Sequence, residues 1–533
     1  MDNRRLILLM FFSFSLFMLW DGWLKQGQPK VVPVAETVVP STATVSSMAP
    51  GDSNKAGAVA GQVTTVKTET VSIETDLFLA EISARGGDII HLELKGHPAT
   101  LDVTKKFLLF DNGSSHTYLA QSGLIGEGLP NHKSLWRIKE GERTLKNGEN
   151  ALSINLEYDS ADNKKIVKTY TFHRDSYQVD VRYEGVTPGT PVYYQFTRDG
   201  KPAETKNNPL NMGISTFTGP AVFTEEGKFQ KVKFEDIATG KAKFASKAKD
   251  GWLALVQHYF VAVWLPPEGM QREYYMRALS DDLYSAGVIL SSTADGKSEV
   301  SLYAGPQELE NLKKLAPGLG LVVDYGWLTV IAAPLFWILN LVHKITGNWG
   351  WAIIGLTFLI KLSFFPLSAA SYKAMAKMKL LTPRLQKLKE VYGDDKLRLN
   401  QEMMALYKSE KVNPLGGCLP VLVQMPVFIA LYWVLQGTVE MRNAPWIGWI
   451  TDLSAQDPYY VLPLIMGLSM LVQTRLNPAP PDPIQAKVMM FMPVIFTVMF
   501  LFFPAGLVLY WTVNNILSIA QQWQINRMIG VGK

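Results

Sequence analysis

The sequence has almost none of the residues from which disulfides and metal sites are built. Cys418 is the single cysteine among 533 residues, so no internal disulfide can form, and its place within an apolar run argues against a redox or metal role. Six of the seven histidines fall between residues 71 and 305, without an HExxH motif or another paired ligand spacing. The sequence therefore predicts no metal centre and no cofactor.

Acidic residues are missing from the apolar segments of the C-terminal half. No Asp or Glu occurs within residues 349–370, 417–436, 459–474, 488–503 or 507–524. Proton-driven pumps and ion exchangers usually place acids or histidines in the membrane, and intramembrane proteases need paired acids, a metal site or a serine dyad. The lack of acidic residues in these segments argues against proton-driven pumps, ion exchangers and intramembrane proteases.

What the chain does contain is apolar runs before residue 24 and after residue 325, which predicts a mixed soluble and membrane protein. The first run follows Arg4 and Arg5 and precedes no small-residue cleavage site. We interpret residues 1–24 as an uncleaved transmembrane signal anchor with a cytoplasmic N-terminus, and a cleaved signal peptide is the alternative.

Three segments of different composition follow the anchor. Residues 25–70 have no aromatic residue and are rich in Val, Thr, Ala, Ser, Pro and Gly, which predicts a disordered tether. Short alternating strands with turn signals across residues 71–305 predict an antiparallel β-sandwich. Residues 306–348 are interpreted as a connector and an amphipathic helix, because Pro334 and the polar "HKITGN" interrupt the apolar run there.

The distribution of charge predicts the topology of the membrane part. The segment between residues 371 and 413 has ten basic and five acidic residues, so the positive-inside rule places it in the cytoplasm. The sandwich then lies outside, residues 325–345 lie in the outer interface, and residues 349–370 form the first core span. Residues 417–533 supply four further core spans and a short cytoplasmic tail.

The basic segment, residues 371–416, is predicted to be a cytoplasmic helical hairpin. Apolar residues recur at spacings of three and four on both sides of "GDD", which supplies a C-terminal glycine and an Asp N-cap. Its charges have two interpretations that the pattern does not separate: a solvated face near anionic lipid, or a docking platform for an anionic or nascent-chain partner. The residues selected are Lys377, Lys379, Arg384, Lys387, Lys389, Asp394 and Asp395.

Lys361 stands alone in the middle of the first core span. A lysine at a helix centre costs about 2.5–3.5 kcal/mol on insertion scales, and its stem is too short to reach either end of a straight helix. We expect a water-filled cavity in the helix bundle; snorkelling is the alternative, and a kink at Pro366 favours it. Thr357 faces the same way as Lys361, and polar residues on the helices are candidates to line the same cavity: Thr357, Gln424, Tyr510, Trp511, Asn514 and Asn515.

Three stretches carry a family resemblance: "KMKLLTPRLQKLKEVYGDDKLRLNQEMMALYKSEKVNPLGGCLPVLVQMPVFIALYWVL", "DLSAQDPYYVLPLIMG" and "FMPVIFTVMFLFFPAGLVLYWTVNN". They resemble the YidC/Oxa/Alb family of membrane protein insertases, in its Gram-negative form with a large periplasmic domain. The resemblance covers residues 349–527. It implies a bacterial inner-membrane protein with a periplasmic β-supersandwich, a five-helix core and no catalytic chemistry.

The resemblance also implies a mechanism. The family's core helices enclose a hydrophilic groove that is open to the cytoplasm and lipid, and its signature cation, typically an arginine, falls at Lys361. A nascent chain's polar segment enters this groove while its apolar segment slides into lipid past Met425, Phe428, Phe496 and Phe500. The implied partners are nascent membrane proteins, the ribosome, the Sec translocon and the phospholipid bilayer, with no specific nucleic acid sequence and no nucleotide.

Two other functions are compatible with parts of the sequence. A small-anion secondary transporter or channel would use the same cavity, but matched broken helices in inverted repeats are missing. A carbohydrate-binding module on a membrane anchor would explain the sandwich and leave the helix bundle without a purpose.

Overall fold

The structure is a computed structural model. It describes residues 69–529 except 100, 101, 103, 114, 115, 161–163, 202–216, 281, 394, 411, 413–418 and 478–482. The predicted signal anchor, residues 1–24, and nearly all of the predicted tether, residues 25–70, lie outside the described residues.

Strands dominate the first half of the described chain and form two nine-stranded antiparallel sheets. They are β1 (Thr70–Glu74), β2 (Phe78–Ser83), β3 (Ile89–Pro98), β4 (Lys106–Asn112), β5 (Thr117–Leu124), β6 (Arg137–Ile138), β7 (Ala151–Asp159), β8 (Lys165–His173), β9 (Gln178–Glu184), β10 (Pro191–Asp199), β11 (Gly219–Thr224), β12 (Lys228–Lys231), β13 (Lys247–Ala248), β14 (Trp252–Gln257), β15 (Phe260–Leu265), β16 (Arg272–Ser280), β17 (Leu283–Ser291) and β18 (Ser298–Pro306). The first sheet has the order β1-β2-β3-β4-β5-β10-β17-β16-β13, and the second has the order β12-β11-β14-β15-β18-β9-β8-β7-β6. A short helix, α1 (Phe234–Ala238), follows β12.

The sandwich follows from the alternation of its strands. In β7 and β8 every second side chain is buried, as at Leu152, Ile154 and Phe172, because only one face of the sheet meets the core. The predicted all-β domain is thereby confirmed.

Strands β14 and β15 are buried on both faces. Leu253 and Trp264 point into the sandwich core, whereas Trp252, Ala254 and Val261 join a second core together with residues of the helical half. This explains why the stretch "WLALVQHYFVAVWLPP" is apolar almost throughout. The β domain and the helices therefore share a continuous apolar interface.

The helical half begins after β18. It consists of α2 (Leu309–Leu315), α3 (Thr329–Thr346), α4 (Trp349–Ser363), α5 (Phe365–Tyr392), α6 (Lys396–Ser409), α7 (Leu419–Gly437), α8 (Val461–Leu476), α9 (Pro483–Phe500) and α10 (Ala505–Ile529), with 3₁₀ turns at Leu319–Val322, Gly326–Leu328 and Val439–Met441. These helices confirm the predicted helical part of the fold.

Residues 349–370 do not form one continuous helix. Helix α4 ends at Ser363, and α5 begins at Phe365 after a bend of 67°. Pro366 explains the break, because its ring would clash with the Leu362 carbonyl in a continuing helix, whereas proline fits the first turn of a new one. The first helix of the hairpin consequently begins at Phe365 and not at residue 371.

Helix α3 also differs from the expectation, since Pro334 does not interrupt it. The helix runs through Pro334 to Thr346 and ends at Gly347, whose φ is 66°. Proline has no N–H, so the helix lacks the backbone hydrogen bond to the Val330 carbonyl. Val330 is 85% exposed, so the carbonyl without a helical partner is not a buried one.

By length and composition, few of the described helices could cross a membrane by themselves. Among the described helices, α3 alone is long and apolar enough to cross a membrane by itself, and α4 with α5 qualify only as a bent pair. Shorter apolar segments occur at Val423–Gly437, Val461–Leu476 and Ala486–Phe500. The interfacial position of residues 325–345 therefore stays a prediction.

The hairpin has an apolar seam between α5 and α6. Leu381, Tyr407 and Val412 are buried, with Met378, Leu385 and Met403 packed against them. Asp395 caps α6 by accepting a hydrogen bond from the Arg398 amide at 3.1 Å, as the sequence predicts. Gly393 is the C-cap residue of α5, as the sequence predicts, with a right-handed backbone (φ −56°, ψ −31°).

Candidate functional site

Lys361 lies on α4, two residues before that helix ends, and its side chain is buried. The residue is 7% exposed, and its Nζ donates a hydrogen bond of 2.8 Å to the Ser518 hydroxyl on α10. Within the part of the chain that the structure describes, no carboxylate lies within ion-pair distance of Lys361. The cation therefore has a neutral partner.

The bend between α4 and α5 shapes the surroundings of this cation. A small pocket beside Lys361 is lined by residues of α4 and α5, on the two sides of the bend, and by residues of α7. The lining residues are Ile360, Lys361, Phe364, Leu367, Ser368, Val423 and Gln424. Ser368 and Gln424 give the pocket hydrogen-bonding groups in addition to the ammonium.

A stripe of polar side chains follows α10 past Lys361. Tyr510, Asn514 and Ser518 recur every four residues and so share one face of the helix. The side-chain amide of Gln424 on α7 donates to the side-chain oxygen of Asn514 and, at 3.3 Å, to the Tyr510 hydroxyl. The predicted residues Lys361, Gln424, Tyr510 and Asn514 are thereby brought together around one helix face.

A second face of α10 binds α8. The Asn515 side-chain amide donates to the Ser469 hydroxyl at 3.1 Å, and Gln522 donates to the Asn477 side chain at 3.1 Å. Asn515 is 4% exposed, so it ties two helices together more than it lines an open surface.

Thr357 does not join this network. It is fully buried, and its hydroxyl donates to the Ile353 carbonyl of its own helix at 2.7 Å. Spacing correctly places it one turn before Lys361, but neighbouring helices cover it. Thr357 is not among the residues that line the pocket beside Lys361, and its role in binding a substrate stays a prediction.

The residues expected to contact an apolar guest form an aromatic cluster around Trp511. The Trp511 ring centroid lies 4.6 Å from Phe428, 6.3 Å from Phe496 and 5.5 Å from Phe500. Phe500 has no exposed surface, so only the other members of the cluster can meet a guest directly. Met425 stands at the cluster's edge with 43% of its surface exposed.

The predicted basic residues of the hairpin lie on its surface. Lys377, Lys379, Lys387 and Lys389 are exposed along α5. Arg384 is also exposed and pairs at 2.6 Å with Glu410, the residue that follows α6, which joins the two helices of the hairpin. Asp395 caps α6, and Asp394 lies outside the described residues.

The histidines of the β domain are explained by ordinary contacts. Within the described ranges, no three His, Cys, Asp or Glu side chains come together as a metal site would require. Each of the six histidines has a nearby hydrogen-bonding partner: His91 with Glu93, His97 with Tyr177, His116 with Asp199, His132 with Tyr193, His173 with Asp180 and His258 with Gln436.

Sequence reasoning missed Ser518, Ser469 and Gln522. Ser518 carried a usable signal, since it continues the four-residue spacing of Tyr510 and Asn514. Serine attracts little notice in an apolar helix because its hydroxyl readily bonds to the helix backbone.

Comparison with known proteins gives two adjacent family matches. Residues 341–531 match the family model of the 60Kd inner membrane protein, and residues 70–338 match the model of the YidC periplasmic domain. A membrane protein insertase YidC of Aromatoleum aromaticum is 60% identical, with 99% of this chain and 98% of that protein covered. One of Dechloromonas aromatica is 57% identical, with 100% and 98% covered.

Among solved structures, the chain is similar to a crystal structure of an active YidC insertase with its first transmembrane domain resolved. The sequences are 19% identical, the TM-score is 0.43, and the match covers 85% of this chain and 92% of that one.

Proposed function

Since the chain belongs to the YidC family of membrane protein insertases, we propose that Lys361 and the polar face of α10 receive the polar segment of a nascent membrane protein. Family membership makes nascent membrane proteins its substrates and a membrane its location. We further propose which residues contact the substrate and which path the substrate takes.

The observation that carries the proposal is a buried cation whose partner is neutral. Removing an ammonium from water is unfavourable unless charge or hydrogen bonds compensate it. Lys361 has the Ser518 hydroxyl as partner, and among the described residues no acid lies close enough to pair with it. An acidic group of a guest would supply the missing counter-charge, so the site favours polar segments that carry a carboxylate.

The bend after Ser363 supports entry from the cytoplasmic side. It leaves Lys361 about 3 Å along the axis from the inner end of α4, at a rise of about 1.5 Å per residue. The pocket beside it is lined by Ser368 and Leu367 of α5, the helix that continues into the hairpin. A polar segment arriving along α5 would reach the ammonium without crossing the hydrocarbon.

The apolar segment of the guest would leave along the outer surface of α7 and α9. Met425, Phe428 and Phe496 offer apolar and aromatic surface beside the polar face of α10. Transfer of apolar surface out of water yields about 25 cal/mol per Å² and would drive release into lipid without a nucleotide. Phe500 would act indirectly, by supporting the Trp511 ring.

The outward surface of the helices fits a lipid environment. Leu464 and Leu468 of α8 and Phe491 and Ile495 of α9 are each 57–63% exposed. A continuous apolar surface of this kind is unusual on a soluble protein. It supports the assignment of α8 and α9, with α4, α7 and α10, to the core spans.

Charge supports the remaining topology. We place the β domain in the periplasm, the hairpin and both termini in the cytoplasm, residues 1–24 in the inner membrane as an anchor, and residues 325–345 at the outer interface. The exposed basic face of the hairpin suits an anionic partner such as the ribosome, and we assign the Sec translocon as a lateral neighbour of the bundle.

Site-specific photocrosslinking tests the proposal. A photoreactive residue at Gln424 or Trp511 should crosslink a stalled nascent membrane protein, whereas the same residue at the lipid-facing Leu468 should crosslink mainly lipid. Crosslinks to lipid alone from Gln424 and Trp511 would contradict the proposal.

A further inference from the structure

We propose that Ser518 is a positioning residue that holds the Lys361 ammonium toward the guest without neutralising it. The inference rests on the proposed function, because it concerns how the same cation is presented to substrate. It assigns a role to a residue of α10 that does not itself carry charge.

The hydroxyl of Ser518 is held in one orientation by two hydrogen bonds, one to its own helix and one to Lys361. It donates to the Asn514 carbonyl of its own helix at 2.7 Å, which uses its single proton. One of its lone pairs accepts from the Lys361 ammonium at 2.8 Å, and the Tyr372 side chain of α5 also interacts with this hydroxyl. Ser518 is 3% exposed, so water does not compete freely for these bonds.

This arrangement joins α4 to α10 at one oxygen atom, with a side chain of α5 beside it. Lys361 comes from the end of α4, Tyr372 from α5 just past the bend, and Ser518 from α10. The lysine stem is long and flexible, so without a fixed acceptor the ammonium would sample several positions. The serine bond confines it to the junction where the pocket opens.

A neutral acceptor leaves the charge of Lys361 available to a guest, whereas an acidic acceptor would not. A serine oxygen attracts an N–H group but leaves the full positive charge of the ammonium in place. The ammonium has three N–H donors, and Ser518 accepts one of them. An acid at position 518 would cancel the charge from within the protein and remove its attraction for an acidic guest.

A purely structural role is the competing explanation, and α10 offers a matched control for it. Thr512 is 4% exposed, and its hydroxyl donates to the Val508 carbonyl at 2.8 Å. It therefore makes the same type of backbone bond as Ser518 on the same helix. Thr512→Ala measures the loss of such a hydroxyl where no lysine is bound.

The test is an insertion assay in the full-length protein, with a single-span substrate whose translocated tail is either acidic or neutral. Ser518→Ala should lower insertion of the acidic substrate about tenfold, the loss of one charge-assisted hydrogen bond, and leave the neutral substrate near wild type. Ser518→Thr should restore insertion, and Thr512→Ala should leave both substrates near wild type. Ser518→Asp should reduce the acidic substrate more than the isosteric Ser518→Asn.

A second comparison shows whether Ser518 acts through the lysine. In a Lys361→Ala background, Ser518→Ala should cause no further loss. Equal losses for acidic and neutral substrates, or a further loss in that background, would overturn the inference. If Lys361→Ala lowers acidic-tail insertion and Ser518→Ala does not, only the role of Ser518 fails. If Lys361→Ala changes neither substrate, the proposed function fails as well.

Discussion

The Arg442 guanidinium donates a hydrogen bond of 2.7 Å to the Pro98 carbonyl and so joins the loop between α7 and α8 to the end of strand β3. Three aromatic rings surround the same cation, with Phe107, Tyr259 and Phe260 at 5.3–5.6 Å from its central carbon. Burial and the charge of Arg442 lower the pKa of the neighbouring His97 to about 4, so this imidazole stays neutral beside the cation. The β domain and the helices are therefore joined at a second point, in addition to their covalent connection.

Replacing Arg442 should loosen this junction. We expect Arg442→Ala to lower the free energy of unfolding by about 2–4 kcal/mol, the combined loss of cation–π contacts and a charged hydrogen bond. Hydrogen exchange should rise in the β14–β15 turn and in residues 438–460. Arg182→Ala is the matched control, since Arg182 makes an exposed ion pair with Glu299 that contributes little. Equal exchange in the two variants would contradict this role of Arg442.

Glu440, two residues before Arg442, should make the junction sensitive to pH. Burial, followed by the charges of Glu308 and Glu310, raises the pKa of Glu440 from 4.5 to about 7. Between these values the folded protein holds a proton that the unfolded chain releases, so stability falls as pH rises from about 4.5 through about 7.

The isosteric variant Glu440→Gln removes the titrating group. At pH 8 it should be more stable than wild type by up to about 3 kcal/mol, and at pH 4 the two should be alike. Thermal unfolding in detergent across this pH range measures both effects, with Glu299→Gln as an exposed control. A stability difference that does not grow with pH would count against a buried, protonated Glu440.

Much of the site could be predicted from sequence because polar residues stand out in apolar helices. Lys361, Gln424, Asn514 and Asn515 were found in this way. Their partners could not be predicted, since these depend on how each helix is rotated about its axis. The pairing of Lys361 with Ser518 spans 157 positions of the chain.

Two structural features could not be predicted from the sequence pattern, for different reasons. Pro366 signalled a disturbance, but only the structure shows that α4 ends at Ser363 and that Lys361 stands near a helix end. The contact of Arg442 could not be predicted, because its partner Pro98 is 344 positions away in the chain. The sandwich was easier to predict, since strand alternation is a local property of the sequence.

Close packing of α8 against α9 depends on Gly467. A Cβ atom at this position would lie 2.0 Å from the Thr497 hydroxyl and 3.1 Å from the Thr497 Cβ. We expect Gly467→Ala to destabilise the helix bundle by about 1–3 kcal/mol, as overpacking does. Gly437→Ala is the control, because a Cβ there meets its neighbours at 3.6 Å or more. Similar thermal stability of the two variants would show that α8 and α9 can separate without loss.

The central claim is that the charge of Lys361 draws the acidic polar segment of a substrate into the membrane bundle. The most direct measurement compares insertion of acidic-tail and neutral-tail substrates by wild type, Lys361→Ala and Lys361→Arg at equal protein levels. Lys361→Ala should lower acidic-tail insertion about tenfold and affect the neutral tail much less, whereas Lys361→Arg should retain both. Equal insertion of the acidic substrate by wild type and Lys361→Ala would contradict the account.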